Sequence, residues 1–243
     1  MVFGLFSKER ALQRTIEKAT NKLAQQQDRW AALERLREDS SEDALYGLCK
    51  RWSVTSLKGV EDEQEKNWVV DVLVEKGGMT LAPLVRYMKS SEQLGFALRV
   101  LGRIADRDKQ LVVIDELLAG EPPGYVRMPD RRIDLIKWFG EHKDMTGDDV
   151  IPRLVPYLKD FDENSRFFAI EGLAHHDPAR IADPLIDALV RPDEESGRIR
   201  RTIVEALERT KAPLGERASQ VAAMLTGPLA VDFKVDGGIV KKK

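Results

Sequence analysis

The residues of this chain with the widest chemical range are three histidines, one cysteine and a set of evenly spaced charged side chains. His175, His176 and Asp177 are consecutive and offer metal-capable nitrogen and oxygen atoms. Adjacent residues on a helix point apart, and no Cys/His cluster is available to complete a coordination shell. A helix end also favours histidine through the dipole, so these residues and His142 are read as structural. No metal, cofactor or catalytic centre is expected. Arg132, Arg166 and Arg200 stand 34 residues apart, and a guanidinium can fork onto a carboxylate or a phosphate. Five residues past this register come Lys137, Glu171 and Glu205, with Asp71 and Arg99 in the corresponding upstream places. Tracking phosphates needs a continuous basic stripe, and acids interrupt this row at three of its five places. The row suits a protein segment of mixed charge, and nucleic acid is not the expected partner.

Those side chains must be carried by a repeated element. Asn164-Ser165-Arg166-Phe167-Phe168-Ala169-Ile170-Glu171-Gly172-Leu173 has counterparts 34 residues before and after it. A period of this size marks a stacked array of supersecondary units. Anchors at Leu73, Leu101, Phe139, Leu173 and Leu207 are spaced 28, 38, 34 and 34, so the register varies only through its loops. Each anchor segment follows an apolar helical segment, as in Pro83-Leu84-Val85-Arg86-Tyr87-Met88-Lys89 and Arg153-Leu154-Val155-Pro156-Tyr157-Leu158-Lys159. Second helices of such pairs line a concave side, where the charged row would project. The loop Gly120–Pro129 is longer than its equivalents and rich in Pro and Gly. It presents Tyr125 with Arg127, residue types common at interface hot spots.

Composition sets the outer bounds. Of 243 residues, 42% are hydrophobic and 33% charged, enough apolar content for a continuous core. A net charge of -2 gives no global attraction to nucleic acid. Cys49 is the sole cysteine, which excludes an internal disulfide and points to a reducing cytoplasm. No apolar run approaches the roughly 20 residues of a membrane-spanning helix.

The ends read differently. Leu12, Ile16, Ala19 and Leu23 recur at helical spacing, and Asp28 is placed as the N-cap of a second segment. Ser40 and Ser41 break the pattern and would cap a helix from Glu42 to Trp52. Val2, Phe3, Leu5 and Phe6 precede a basic stripe of Arg14, Lys18 and Lys22. That combination can lie on an anionic bilayer, although a cap over the first repeat is the simpler reading. Val231 to Val240 alternates apolar and polar residues around Asp236-Gly237, a hairpin signal set against an extended, unstructured tail.

These pairs resemble the short bacterial HEAT-like repeats, over about Glu61 to Arg209. The resemblance rests on the prolines Pro83, Pro152, Pro156 and Pro184, on Asp162 in the intra-repeat turn, on Arg132, Arg166 and Arg200, and on Glu205-Ala206-Leu207. It implies that the repeated arginines bond turn carboxylates or carbonyls of adjacent repeats as a structural ladder. The expected architecture is an all-α α-solenoid (superhelix) of about five HEAT-like helical hairpins. Residues 1–60 form a helical cap and degenerate first repeat, 61–226 the array, and 227–243 a tail or β-hairpin. The expected function is that of a non-catalytic scaffold or adaptor, binding a protein partner through Asp71, Arg99, Lys137, Glu171, Glu205, Tyr125 and Arg127. The rivals are a HEAT-like alkylpurine DNA glycosylase and a membrane-peripheral adaptor. Deoxyhypusine hydroxylases of this fold need repeated His-Glu pairs; no histidine here precedes a glutamate.

Overall fold

The computed structural model describes the backbone of residues 2–142 and 144–243, and the side chains of residues 8–142 and 144–243. The chain divides into two compact units, Met1–Ala119 and Gly120–Lys243. The division falls inside the stretch expected to be one array.

The first unit comprises α1 (Val2–Ala19), α2 (Gln26–Asp39), α3 (Glu42–Cys49), α4 (Gly59–Lys76), α5 (Leu81–Ser90), α6 (Gly95–Ile104) and α7 (Arg107–Ala119). α1 packs on α2, α3 on α5 and α4 on α6. Ser41 caps α3 by accepting the Ala44 amide, as its side-chain chemistry favours. Two sequence expectations change here. α2 begins at Gln26 with Gln25 as its N-cap, so Asp28 lies in the first turn, where a carboxylate still favours the positive end of the helix. α1 ends at Ala19, which leaves Leu23 in the following turn and 74% exposed instead of on the apolar face. The tip at Val2, Phe3, Leu5 and Phe6 lies outside the described side chains.

The second unit holds α8 (Asp130–Glu141), α9 (Gly147–Leu154), α10 (Glu163–Leu173), α11 (Pro178–Val190), α12 (Gly197–Thr210), α13 (Ala218–Met224) and α14 (Pro228–Asp232). Asp162, Asp177 and Ser196 cap α10, α11 and α12 with their side chains, and Thr146 and Asp149 form a capping box on α9. Pro156 has no amide hydrogen, and the chain passes from α9 into a 3-10 turn over Val155–Lys159. α8 and α10 approach closely at two glycines. A Cβ on Gly140 would lie 3.2 Å from Gly172 Cα, and one on Gly172 would lie 2.6 Å from Leu154 Cδ1.

The anchors Leu73, Leu101, Phe139, Leu173 and Leu207 are all buried. The tail is the hairpin of β1 (Phe233–Asp236) and β2 (Ile239–Lys242), antiparallel, with Val235 opposite Val240. Two strands alone are marginal in water. Phe233 and Val240 bury themselves, and the hairpin packs on α12 and α13.

Candidate functional site

In the first unit the charges that matter most are hidden. Glu65 on α4 is fully buried and takes hydrogen bonds from two arginines. Arg29 Nε and Nη2 reach it from α2 at 2.9–3.1 Å, and Arg51 Nε reaches it at 2.8 Å. Arg51 also donates to Asp62 Oδ1 at 2.6 Å and to the Val54 carbonyl, while Lys66 holds Asp62 Oδ2 at 2.8 Å. Three cations meet Asp62, Glu65 and, at 3.8 Å from Arg29, the partly exposed Glu61, so the formal charges balance. The sequence carried a signal for this cluster. Asp62, Glu65 and Lys66 continue the helical stripe of Val69 and Leu73, and charges on a buried stripe must find partners.

Asp62 makes the network sensitive to acid. Burial alone would push its carboxyl up, but hydrogen bonds from Lys66, the Ser56 amide and Arg51 outweigh that and hold it at about 2. The folded value lies below the unfolded one, so the folded state binds fewer protons between the two. The resulting stability is complete above about pH 5 and is lost as the pH falls through about 4 towards 2. Urea unfolding across that range should therefore show a steeper loss in the wild type than in Asp62→Asn. Parallel curves for the two proteins would remove Asp62 from the acid response.

Of the row read as a binding groove, Asp71, Arg99, Lys137 and Glu171 contact a neighbouring helix, and Glu205 pairs within its own. Arg103 lies 3.7 Å from the exposed Asp71, and the exposed Arg99 donates to Asn67 on α4 and lies over Phe96. In the second unit Lys137 sits over the Phe168 ring at 5.1 Å, Glu171 pairs with Arg209, and Glu205 pairs with Arg201. Exposed pairs of this kind contribute at most about 1 kcal/mol each.

The three evenly spaced arginines are not equivalent. Arg132 is 1% exposed and donates to Asp160 Oδ2 and to the Gly124 carbonyl, both at 2.8 Å. Arg166 pairs with Glu194 at 2.9 Å and donates to the carbonyls of Asp160 and Phe161. In both rungs the carboxylate follows its arginine by 28 residues. The residue 28 beyond Arg200 is Pro228, and Arg200 makes no ion pair among the described residues, whereas Arg132 and Arg166 each do. Asp162 is the helix cap, and the rung acid is Asp160, two residues before it.

The first rung also shapes the long loop. Arg132 holds the Gly124 carbonyl, Tyr157 Oη donates to the Glu121 carbonyl at 2.9 Å, and Arg131 pairs with Glu121 at 2.9 Å. Gly124 has φ +139°, a conformation that side chains other than glycine rarely adopt. The pinned loop sets Tyr125 edge-to-face against Phe161, with ring centroids 5.2 Å apart. Tyr125 is 73% and Phe161 69% exposed. They border an open cleft of about 730 Å³ that also touches Lys159, Arg166, Glu194 and Glu195. Arg127 is exposed on the same loop. Phe161 was missed in the sequence because it follows the apolar helix pattern as an ordinary turn residue.

The side chains of other chemistries are placed elsewhere. His142 stacks on Trp138 at 4.1 Å. Trp52 and Trp138 are buried, and Trp68 packs against Trp30. Among the described residues no group of His, Cys, Asp and Glu is arranged to hold a metal, and no helix is long and apolar enough to cross a membrane.

Capped helical hairpins repeating at 34 residues, joined by a buried arginine–carboxylate ladder, define an all-α repeat fold of the α-solenoid class. Residues 151–228 match the family model described as HEAT repeats. Comparison with curated proteins and with solved structures finds no match.

Proposed function

We propose that this protein is a non-catalytic interaction scaffold, working in the cytoplasm, whose partner is another protein. HEAT repeats commonly serve as protein-interaction scaffolds. The observation that carries the reading here is the Tyr125–Phe161 pair. Two large aromatic side chains are left mostly in water, yet their backbone is held by a buried ion pair and a glycine-specific turn. Rigid, exposed aromatics lose little conformational freedom on binding and supply much of the energy at interface centres. In the same unit the charged residues Lys137, Glu171 and Glu205 would supply rim contacts, with Arg127 on the loop that carries Tyr125. Rim charges steer association more than they hold it.

A photoreactive benzoylphenylalanine at position 125 tests this directly. Irradiation in cells should give a discrete protein adduct at 125 and none at the equally exposed position 231. Adducts of equal yield at both positions, or none at 125, would overturn the assignment of this edge.

A further inference from the structure

The first unit contains an open cleft of about 440 Å³, lined from the turn that joins α1 to α2 and from the loop that leads into α4. Leu23 comes from the turn and Leu57 from the loop, and they are 74% and 85% exposed. A single leucine in water is ordinary, but two from separate segments lining one concavity form an apolar site.

Both segments are held from beneath by the buried charge network. Arg29, bound to Glu65, donates to the carbonyl of Ala24, the residue after Leu23. Asp62 accepts the amide of Ser56, the residue before Leu57, at 2.8 Å, and Arg51 donates to the Val54 carbonyl at 2.7 Å. The Leu23 amide itself donates to Asn21 Oδ1 at 2.9 Å. The leucines thus stand in water on an ordered backbone, which spares a ligand much of the cost of ordering them.

The charge around them is one-sided. Arg29, Arg51 and Lys66 are matched by Asp62, Glu65 and Glu61, which leaves Lys22 and Lys58 in excess at the cleft. Lys22 makes no ion pair among the described residues. Lys58, 76% exposed, meets Glu61 at 2.9 Å, a carboxylate that Arg29 also approaches at 3.8 Å. Glu61 is the one acid lining the cleft among the described residues, and Asp28 does not line it. Charges of one sign at a rim draw a partner of the other. A concavity takes an inserted side chain, whereas a bilayer is met by a continuous apolar face.

We propose that this cleft docks an acidic protein segment, with one of its apolar side chains between Leu23 and Leu57 and flanking Asp or Glu side chains on Lys22 and Lys58. The site lies in a different unit from Tyr125 and stands independently of it.

The test starts from random peptides displayed on phage and selected on the full chain. Selected sequences should place Leu, Ile, Met or Phe beside Asp or Glu. The strongest of them, made synthetically, should bind more weakly as ionic strength rises and should shift the amides of residues 22–24 and 56–58 in NMR spectra. Lys22→Glu with Lys58→Glu should weaken its binding at least about tenfold, and Leu23→Ser with Leu57→Ser by a similar factor. All four side chains are exposed, so the unit should remain folded, which a thermal melt checks. Val112→Ser, at an exposed position elsewhere in the same unit, should leave binding unchanged. No enrichment, selected peptides without acids, or equal affinity for both double variants and wild type overturns the proposal. So do phosphatidylserine vesicles that sediment with the wild-type chain and displace the peptide, a result that assigns the face to a bilayer.

Discussion

Glu65→Ala should cost the first unit about 3–5 kcal/mol, the scale of leaving buried charge without its partner. Two guanidinium groups, Arg29 at 3% and Arg51 at 0% exposure, would lose the carboxylate that both contact. Domains are stable by only about 5–15 kcal/mol in total, so the variant should lose a large share of the unit's stability. Urea unfolding followed by tryptophan emission measures this, because Trp30, Trp52 and Trp68 all lie in the first unit. A second variant keeps the interpretation tight. Replacing Arg29, Arg51 and Glu65 together by Met, Leu and Leu removes both guanidinium groups with the carboxylate they share, leaves Asp62 paired with Lys66, and should recover part of the loss, since apolar packing can equal a buried ion network. An alanine variant within about 1 kcal/mol of wild type would show that water or a rearranged side chain satisfies the arginines.

Arg132→Ala should have an effect of similar size in the second unit, about 3–5 kcal/mol, with a local consequence as well. Asp160 would be left buried without a cation, and the Gly124 carbonyl would lose its donor. The loop carrying Tyr125 should then open under native conditions. Limited proteolysis should cut within 120–129 in the variant at protease levels that leave the wild type intact, and benzoylphenylalanine at 125 should lose its specific adduct. Arg200→Ala is the internal comparison. Arg200 belongs to the same sequence register but has no rung carboxylate among the described residues, so its removal should cost far less. Equal losses at 132 and 200 would show that the arginines act through helix packing instead of through their ion pairs.

The contrast between those two arginines separates what each level of structure decides. The 34-residue period, the buried anchors from Leu73 to Leu207, the Ser41 cap and the C-terminal hairpin were legible in the chain. Each depends on side chains a few positions apart: 3.6-residue periodicity, a cap three residues from its amide, or a turn between two strands. Such signals survive without knowledge of the fold. Even locally the reading slipped at Leu23, which lies beyond the end of α1, and at Asp28, because α2 begins at Gln26.

The partners of the charges were not legible. Arg132 and Asp160 are 28 residues apart, Arg29 and Glu65 are 36, and Lys137 meets Phe168 across 31. Which of many Lys, Arg, Asp and Glu residues meet depends on how successive hairpins are rotated and offset, and that geometry is set by core packing. Thus the sequence by itself determined the repeat class and the apolar register. Only the tertiary structure decided that Arg200 lacks a rung, that Glu65 is buried between two arginines, and that Tyr125 stands in water against Phe161.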